Sequence, residues 1–195
     1  MDFETQTVTG RSGWMSELIG FFSIEPTIDK KGYLGAILVI DDKGIPQEFR
    51  VTQAIKPTII QKQLYGKSLL EYIGVTLCGK PLYNILRVKP VAIIVNQYEL
   101  VELGAEIDCY LVNVRAIDDT IVINNDIVKE SQRIISLNDE IKPLYPTFPR
   151  NYNEEKVKEC LNIVTKFTTA IDLMEPFNRI RVALDTLSAQ DKRFS

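Results

Sequence analysis

The sequence predicts an α/β (or α+β) fold: a mixed sheet that starts with a β-hairpin, central helices, and a C-terminal helical hairpin. Three observations predict it. Short apolar or alternating runs, Leu18–Ile24, Tyr33–Ile40 and Gln47–Gln53, follow one another early in the chain. Apolar residues then recur at helical spacing between Pro57 and Lys89. A second helical pattern closes the chain after Asn153, behind a stretch with a proline at every third position.

Leu18–Ile24 reads as a strand stopped by Glu25-Pro26. Tyr33–Ile40 is apolar on both faces, as a central strand requires. It runs into Asp41-Asp42-Lys43-Gly44, where Gly44 can take the positive φ of a tight turn. Gln47–Gln53 alternates, with Phe49 and Val51 on one face and Glu48, Arg50 and Thr52 on the other; together these make a hairpin. Pro57 is pre-set for a first helical position, Ile60 and Leu64 share a face, and Gly66 stops the run. Ser68-Leu69-Leu70-Glu71 has capping-box spacing. Leu70, Ile73 and Leu77 then line one face, and Gly79 with Pro81 breaks or kinks the helix. Leu82, Ile85 and Leu86 continue it to Arg87 and Lys89, cations that suit a helix C-terminus.

Val91–Val95 is a short buried strand and Ile107–Val114 another, which Asp118-Asp119 turns into Thr120–Ile123. Ile127, Val128, Ser131, Ile134 and Ile135 have helical spacing, although Arg133–Leu137 reads equally as a strand. Pro143, Pro146 and Pro149 favour an extended polyproline II linker. Asn153 caps a helix striped by Val157, Cys160, Leu161, Val164, Phe167 and Ile171. Pro176 starts the last helix, with Phe177, Ile180, Leu184 and Leu187 on one face. The expected organisation is a flexible arm over 1–14, an α/β core over 15–142, a Pro-rich linker over 143–152 and a helical hairpin over 153–190.

Composition removes many activities. The 195 residues include no histidine, which excludes a Ser-His-Asp triad, a Cys-His dyad and His-ligated zinc or iron. Cys78, Cys109 and Cys160 are scattered and cannot make a Cys₄ metal site; they read as buried thiols in a reducing cytoplasm. No basic segment followed by an apolar stretch opens the chain, and no apolar run is long enough to span a bilayer. The expectation is a cytoplasmic protein away from membranes, with no cofactor and no metal. The net charge of −3 hides a polarity. From Lys43 to Lys89 eight basic residues face two acids, and from Gln97 to Glu140 ten acids face three basic residues. Such asymmetry makes either a binding face or two halves of one fold that attract each other.

Gly32-Tyr33-Leu34-Gly35-Ala36-Ile37-Leu38-Val39, with Glu48-Phe49-Arg50-Val51-Thr52, Lys56-Pro57-Thr58, Gln63-Leu64-Tyr65-Gly66 and Leu173-Met174-Glu175-Pro176-Phe177, resembles a group of uncharacterised prokaryotic proteins. That resemblance transfers no function. The order of elements is also similar to the ribonuclease H-like arrangement. This second resemblance implies two-metal chemistry, with carboxylates converging from the first strand, the first helix and the fourth strand. Here the first strand offers Glu25 at its end and the fourth ends in Asn96, so the implied pattern is broken.

Arg50, Lys56, Lys62, Lys67, Lys80, Arg87 and Lys89, interleaved with Tyr65 and Tyr72, are candidate nucleic-acid-binding residues: cations neutralise phosphates and rings stack on bases. A solvated face with half-buried tyrosines accounts for the same residues. Asp41-Asp42 and Asp118-Asp119 could share Mg²⁺ or simply serve turns. Phe177, Arg179, Ile180 and Arg181, with Tyr145 and Phe148 of the proline run, are candidate contacts to a protein partner; plain core packing is their alternative. The resulting expectation is a non-enzymatic accessory subunit that binds a protein partner in a homo- or hetero-oligomer, within a nucleic-acid-handling complex. The alternatives are a nucleic-acid-binding module using 50–89, and a carboxylate- and Mg-dependent hydrolase or nuclease.

Overall fold

Strand β1 (Ile19–Pro26) is the pivot of the sheet in the computed structural model, which describes residues 17–116 and 144–194. On one side β1 pairs antiparallel with β2 (Tyr33–Ile40), which pairs antiparallel with β3 (Pro46–Val51). On the other side β1 runs parallel to β4 (Ala92–Val95), and β4 parallel to β5 (Tyr110–Ala116). An antiparallel edge strand, β6 (Leu144–Thr147), completes the order β3-β2-β1-β4-β5-β6. The early hairpin is as expected, and Gly44 takes φ +77° in its turn. Asp41 makes that turn: its carboxylate accepts the Lys43 and Ile45 amides at 3.0 and 2.9 Å and the Gln47 side chain at 2.9 Å.

Between β3 and β4 the chain is helical but not as the spacing predicts. Helix α1 (Ile59–Tyr65) is capped by Thr58, whose hydroxyl accepts the Gln61 amide while the Gln61 side chain accepts the Thr58 amide. The capping box therefore lies at Thr58. Ser68 makes none; its hydroxyl donates to the Tyr65 carbonyl at 2.8 Å. A short turn of 3-10 helix and α2 (Leu69–Glu71) lead into a π-helix over Tyr72–Gly79, which continues as α3 (Lys80–Ile85). Wider π winding changes the face that is buried. Ile73, Gly74, Val75, Cys78 and Gly79 point inward, and Leu77, expected on the inner face, is 38% exposed. The helix does not break at Gly79-Pro81: the π winding that ends at Gly79 passes directly into α3, with Pro81 at its start. A 3-10 segment, Tyr98–Ala105, follows β4 and has no counterpart in the sequence reading.

Of the proline run, whose Pro143 lies outside the described residues, Leu144–Thr147 forms the strand β6. An edge strand tolerates proline because one of its sides has no partner. Beyond it, α4 (Glu154–Thr168), capped by Asn153, and α5 (Glu175–Gln190) form the predicted helical hairpin. The hairpin covers one face of the sheet, where Ile19, Phe21, Leu38, Ile94, Val112 and Val114 meet Cys160, Val164, Phe167, Phe177, Ile180 and Leu184. The α2, π and 3-10 segments cover the other face through Phe22, Ile24, Ile37, Val39, Ile93, Val95 and Leu111. Residues 153–190 thus share one core with the sheet. No helix among the described residues is long and apolar enough to cross a membrane. The expected arm, Asp118-Asp119 and the patterns over 120–137 lie outside the described residues.

Candidate functional site

The carboxyl ends of β1 and β4 lie side by side, and their connections diverge: β1 turns back into β2, while β4 leads through the 3-10 segment to β5. Such a divergence opens the crevice where open α/β sheets bind ligands. Phe22 pairs with Val95, so Ser23 and Asn96 come one step further along adjoining strands. By alternation both point to the α4/α5 face, and Glu25 follows on the same side. Ser23 is fully buried, and its Oγ, like the Asn96 Oδ1, has no hydrogen-bond partner within the protein. Buried polar atoms are almost always paired; these two unpaired oxygens sit together at the end of adjoining strands.

Gln97 holds this edge together. Its side chain accepts the Ile24 amide at 3.0 Å and donates to the Ile24 carbonyl at 2.8 Å. That exchange prolongs the β1–β4 pairing by a side chain where the backbone ladder has ended, and it fixes the backbone next to Glu25. Above the edge stands α5, which carries Arg181 and Asp185 one turn apart. Burial pushes the half-buried Glu25 carboxyl above its ordinary value. The Arg181 guanidinium pulls it down, and the Asp185 carboxylate pushes it up. A carboxyl with a raised pKa beside a cation is equipped to exchange protons with an anionic ligand.

The two-metal centre implied by the ribonuclease H-like resemblance does not fit these residues. Ser23 and Asn96 are neutral where anionic ligands are needed, and an arginine stands near Glu25. Among the described residues no three Asp, Glu, Cys or His converge. The opposite face of the same edge carries a second polar pair: the Asn113 Nδ2 donates to the Val95 carbonyl at 3.1 Å, while its Oδ1 and the Tyr145 hydroxyl are buried without partners.

The basic segment is dispersed. Arg50 pairs with Glu48 at 2.6 Å, Lys56 with Asp29 at 3.6 Å and Lys80 with Glu106 at 2.6 Å. Lys89 donates to the Tyr83 carbonyl and lies over the Tyr83 ring. The Arg87 amide donates to Glu48. Lys62 and Lys67 are exposed beside the stacked rings of Tyr65 and Tyr72, 4.7 Å apart. Of the residues expected to meet a partner, Phe177 and Ile180 are buried in the core. Arg179 donates to the Gly44 carbonyl at 2.7 Å and pairs with Glu175, clamping α5 to the β2–β3 turn. Tyr145 faces Arg115, and Phe148 stacks on Tyr152. Arg181 donates to the Asn178 Oδ1 at 2.8 Å and is the one residue of this group whose charge acts on Glu25. Sequence reasoning named Glu25, Asn96 and Arg181 but missed Ser23, Gln97 and Asp185. The i,i+4 spacing of Arg181 and Asp185 was the available signal.

No family model and no curated protein matches the sequence. The fold, however, is similar to that of solved structures. The structure of Ciona intestinalis endonuclease V in complex with a DNA 24mer containing an inosine followed by a ribo-adenosine matches at TM-score 0.54 and 11% identity, over 87% of each chain. The catalytic domain of human endonuclease V matches at TM-score 0.54 and 11% identity, over 87% of this chain and 83% of that one. At such identity the likeness is one of fold. It runs against the expectation of a non-enzymatic accessory subunit, because the solved structures that share this fold are endonuclease V structures, and two of the residues offered as partner contacts, Phe177 and Ile180, are core.

Proposed function

We propose that this chain is an enzyme acting on nucleic acid, a phosphodiesterase whose reacting edge is the carboxyl end of β1 and β4. The observation that carries the reading is Glu25, a half-buried carboxyl of raised pKa near the Arg181 guanidinium, at the carboxyl end of β1. The similarity of the fold to solved endonuclease V structures supports it. Arg181 neutralises the phosphate and the charge that develops on its oxygens. Ionised Glu25 takes a proton from an attacking hydroxyl or water as its oxygen bonds to phosphorus. The ester P–O bond opposite breaks, and the leaving oxygen takes its proton from solvent.

The test is cleavage of end-labelled strands: DNA carrying inosine followed by ribo-adenosine, unmodified duplex DNA, and single-stranded RNA, each in Mg²⁺, Mn²⁺ and EDTA. Cleavage of at least one strand is expected, with Glu25→Gln lowering the rate by about 100-fold or more. Because the base is the ionised form, the wild-type rate climbs with pH through the raised pKa of Glu25 and then levels; Glu25→Gln removes that limb. Intact strands under every condition, or a Glu25→Gln variant with the wild-type rate, overturn the reading.

A further inference from the structure

Helix α1 buries nothing. None of its residues is buried, and Ile59, Ile60 and Leu64 are 76%, 67% and 78% exposed. A helix of seven residues does not persist on propensity alone; the Thr58–Gln61 capping box holds its start, and Gly66, at φ +51°, ends it. Large aliphatic side chains displayed together on a preformed helix constitute a patch rather than scattered surface hydrophobes. Next to them lies a cleft lined by Ile55, Pro57, Tyr65, Leu69, Tyr72 and Leu77.

Charge selects the occupant. Lys62 lies on α1, Lys67 follows it, and Lys56 borders the cleft; between Lys56 and Lys80 the sequence holds one acid, Glu71. Two copies paired about a two-fold axis would set these lysines against each other, which disfavours a second copy of this chain. A nucleic-acid strand needs open ring faces, whereas Tyr65 and Tyr72 stack on one another and the displayed patch is aliphatic. We propose that α1 and its cleft form a docking site for an acidic amphipathic segment of another protein. Its apolar residues lie on Ile59, Ile60 and Leu64, one of them enters the cleft, and its carboxylates meet Lys62 and Lys67. The site is separate from the carboxyl edge and does not rest on the phosphodiesterase reading.

A displayed library of random peptides selected on the full-length protein tests this. The selected peptides are expected to carry an excess of Asp and Glu, with apolar residues at helical spacing. Their affinity should fall by about tenfold or more in Leu64→Ser, and likewise in Lys62→Glu/Lys67→Glu, and should weaken as salt rises. Circular dichroism and melting curves establish that each variant is folded, and the lysine pair keeps the test decisive should Leu64→Ser misfold. Four results overturn the proposal: no peptide whose binding depends on these residues, selected peptides without acidic excess, displacement by a single-stranded oligonucleotide, or self-association abolished at this face.

Discussion

Glu48 shows how one residue can decide the meaning of a charged run. Its side chain, 8% exposed, accepts the Arg87 and Val88 amides at 2.8 and 3.0 Å and pairs with Arg50 at 2.6 Å. Burial pushes its carboxyl up, but the Val88 amide, Arg50 and the Arg87 amide outweigh burial and hold it below its ordinary value. A carboxyl held low in the folded state adds stability above its unfolded pKa and loses it as pH falls through the folded one. Glu48→Gln is therefore expected to cost about 1–3 kcal/mol at neutral pH and to flatten the acid limb of stability against pH. Urea unfolding at neutral and acid pH measures both. The alternation of β3 placed Glu48 and Arg50 on one face. Nothing local announced the Arg87 and Val88 amides, because those contacts span about forty residues.

Among the elements, the π-helix over Tyr72–Gly79 departs furthest from its sequence pattern. A 3.6-residue period assigned Leu70, Ile73 and Leu77 to one inner face, yet wider winding turns Leu77 outward and brings Gly74, Cys78 and Gly79 in. Close approach to the sheet makes that winding workable. A Cβ on Gly35 of β2 would stand 2.5 Å from the Cys78 Cβ and 2.8 Å from its Sγ. Gly35→Ala is expected to destabilise by about 1–3 kcal/mol, read as a lower Tm, because the Cys78 Cβ is fixed by its helix. The start of α1 shows the same limit at smaller scale. Two spacings compatible with a capping box lie ten residues apart, and only Thr58 has the extended backbone that the motif requires, whereas Ser68 is already helical.

For the whole molecule, the C-terminal hairpin matters most. Phe177 meets Phe21 edge to face with ring centroids 5.5 Å apart, at the centre of the shared core. Phe177→Ala is expected to cost about 3–5 kcal/mol and to lower the Tm of the entire chain in one cooperative transition, whereas an interface residue would leave stability unchanged. Differential scanning calorimetry separates the two. The same packing delivers Arg181 and Asp185 to the end of β1, so the candidate site exists only when α5 is docked.

By itself the sequence determined the hairpin β2–β3, the buried strands β1 and β4, both C-terminal helices and the absence of histidine chemistry. Each rests on a local period or on composition, which the chain carries wherever it folds. The strand order, the π winding, β6 as an edge strand and the meeting of Ser23, Glu25, Asn96, Arg181 and Asp185 were decided by the tertiary structure. Those features join residues up to about 160 positions apart, and their register follows from burying both faces of one sheet together. Charge patterning showed the same division: the basic run was legible residue by residue, but which of its cations are paired internally depended on the acids that folding brought alongside.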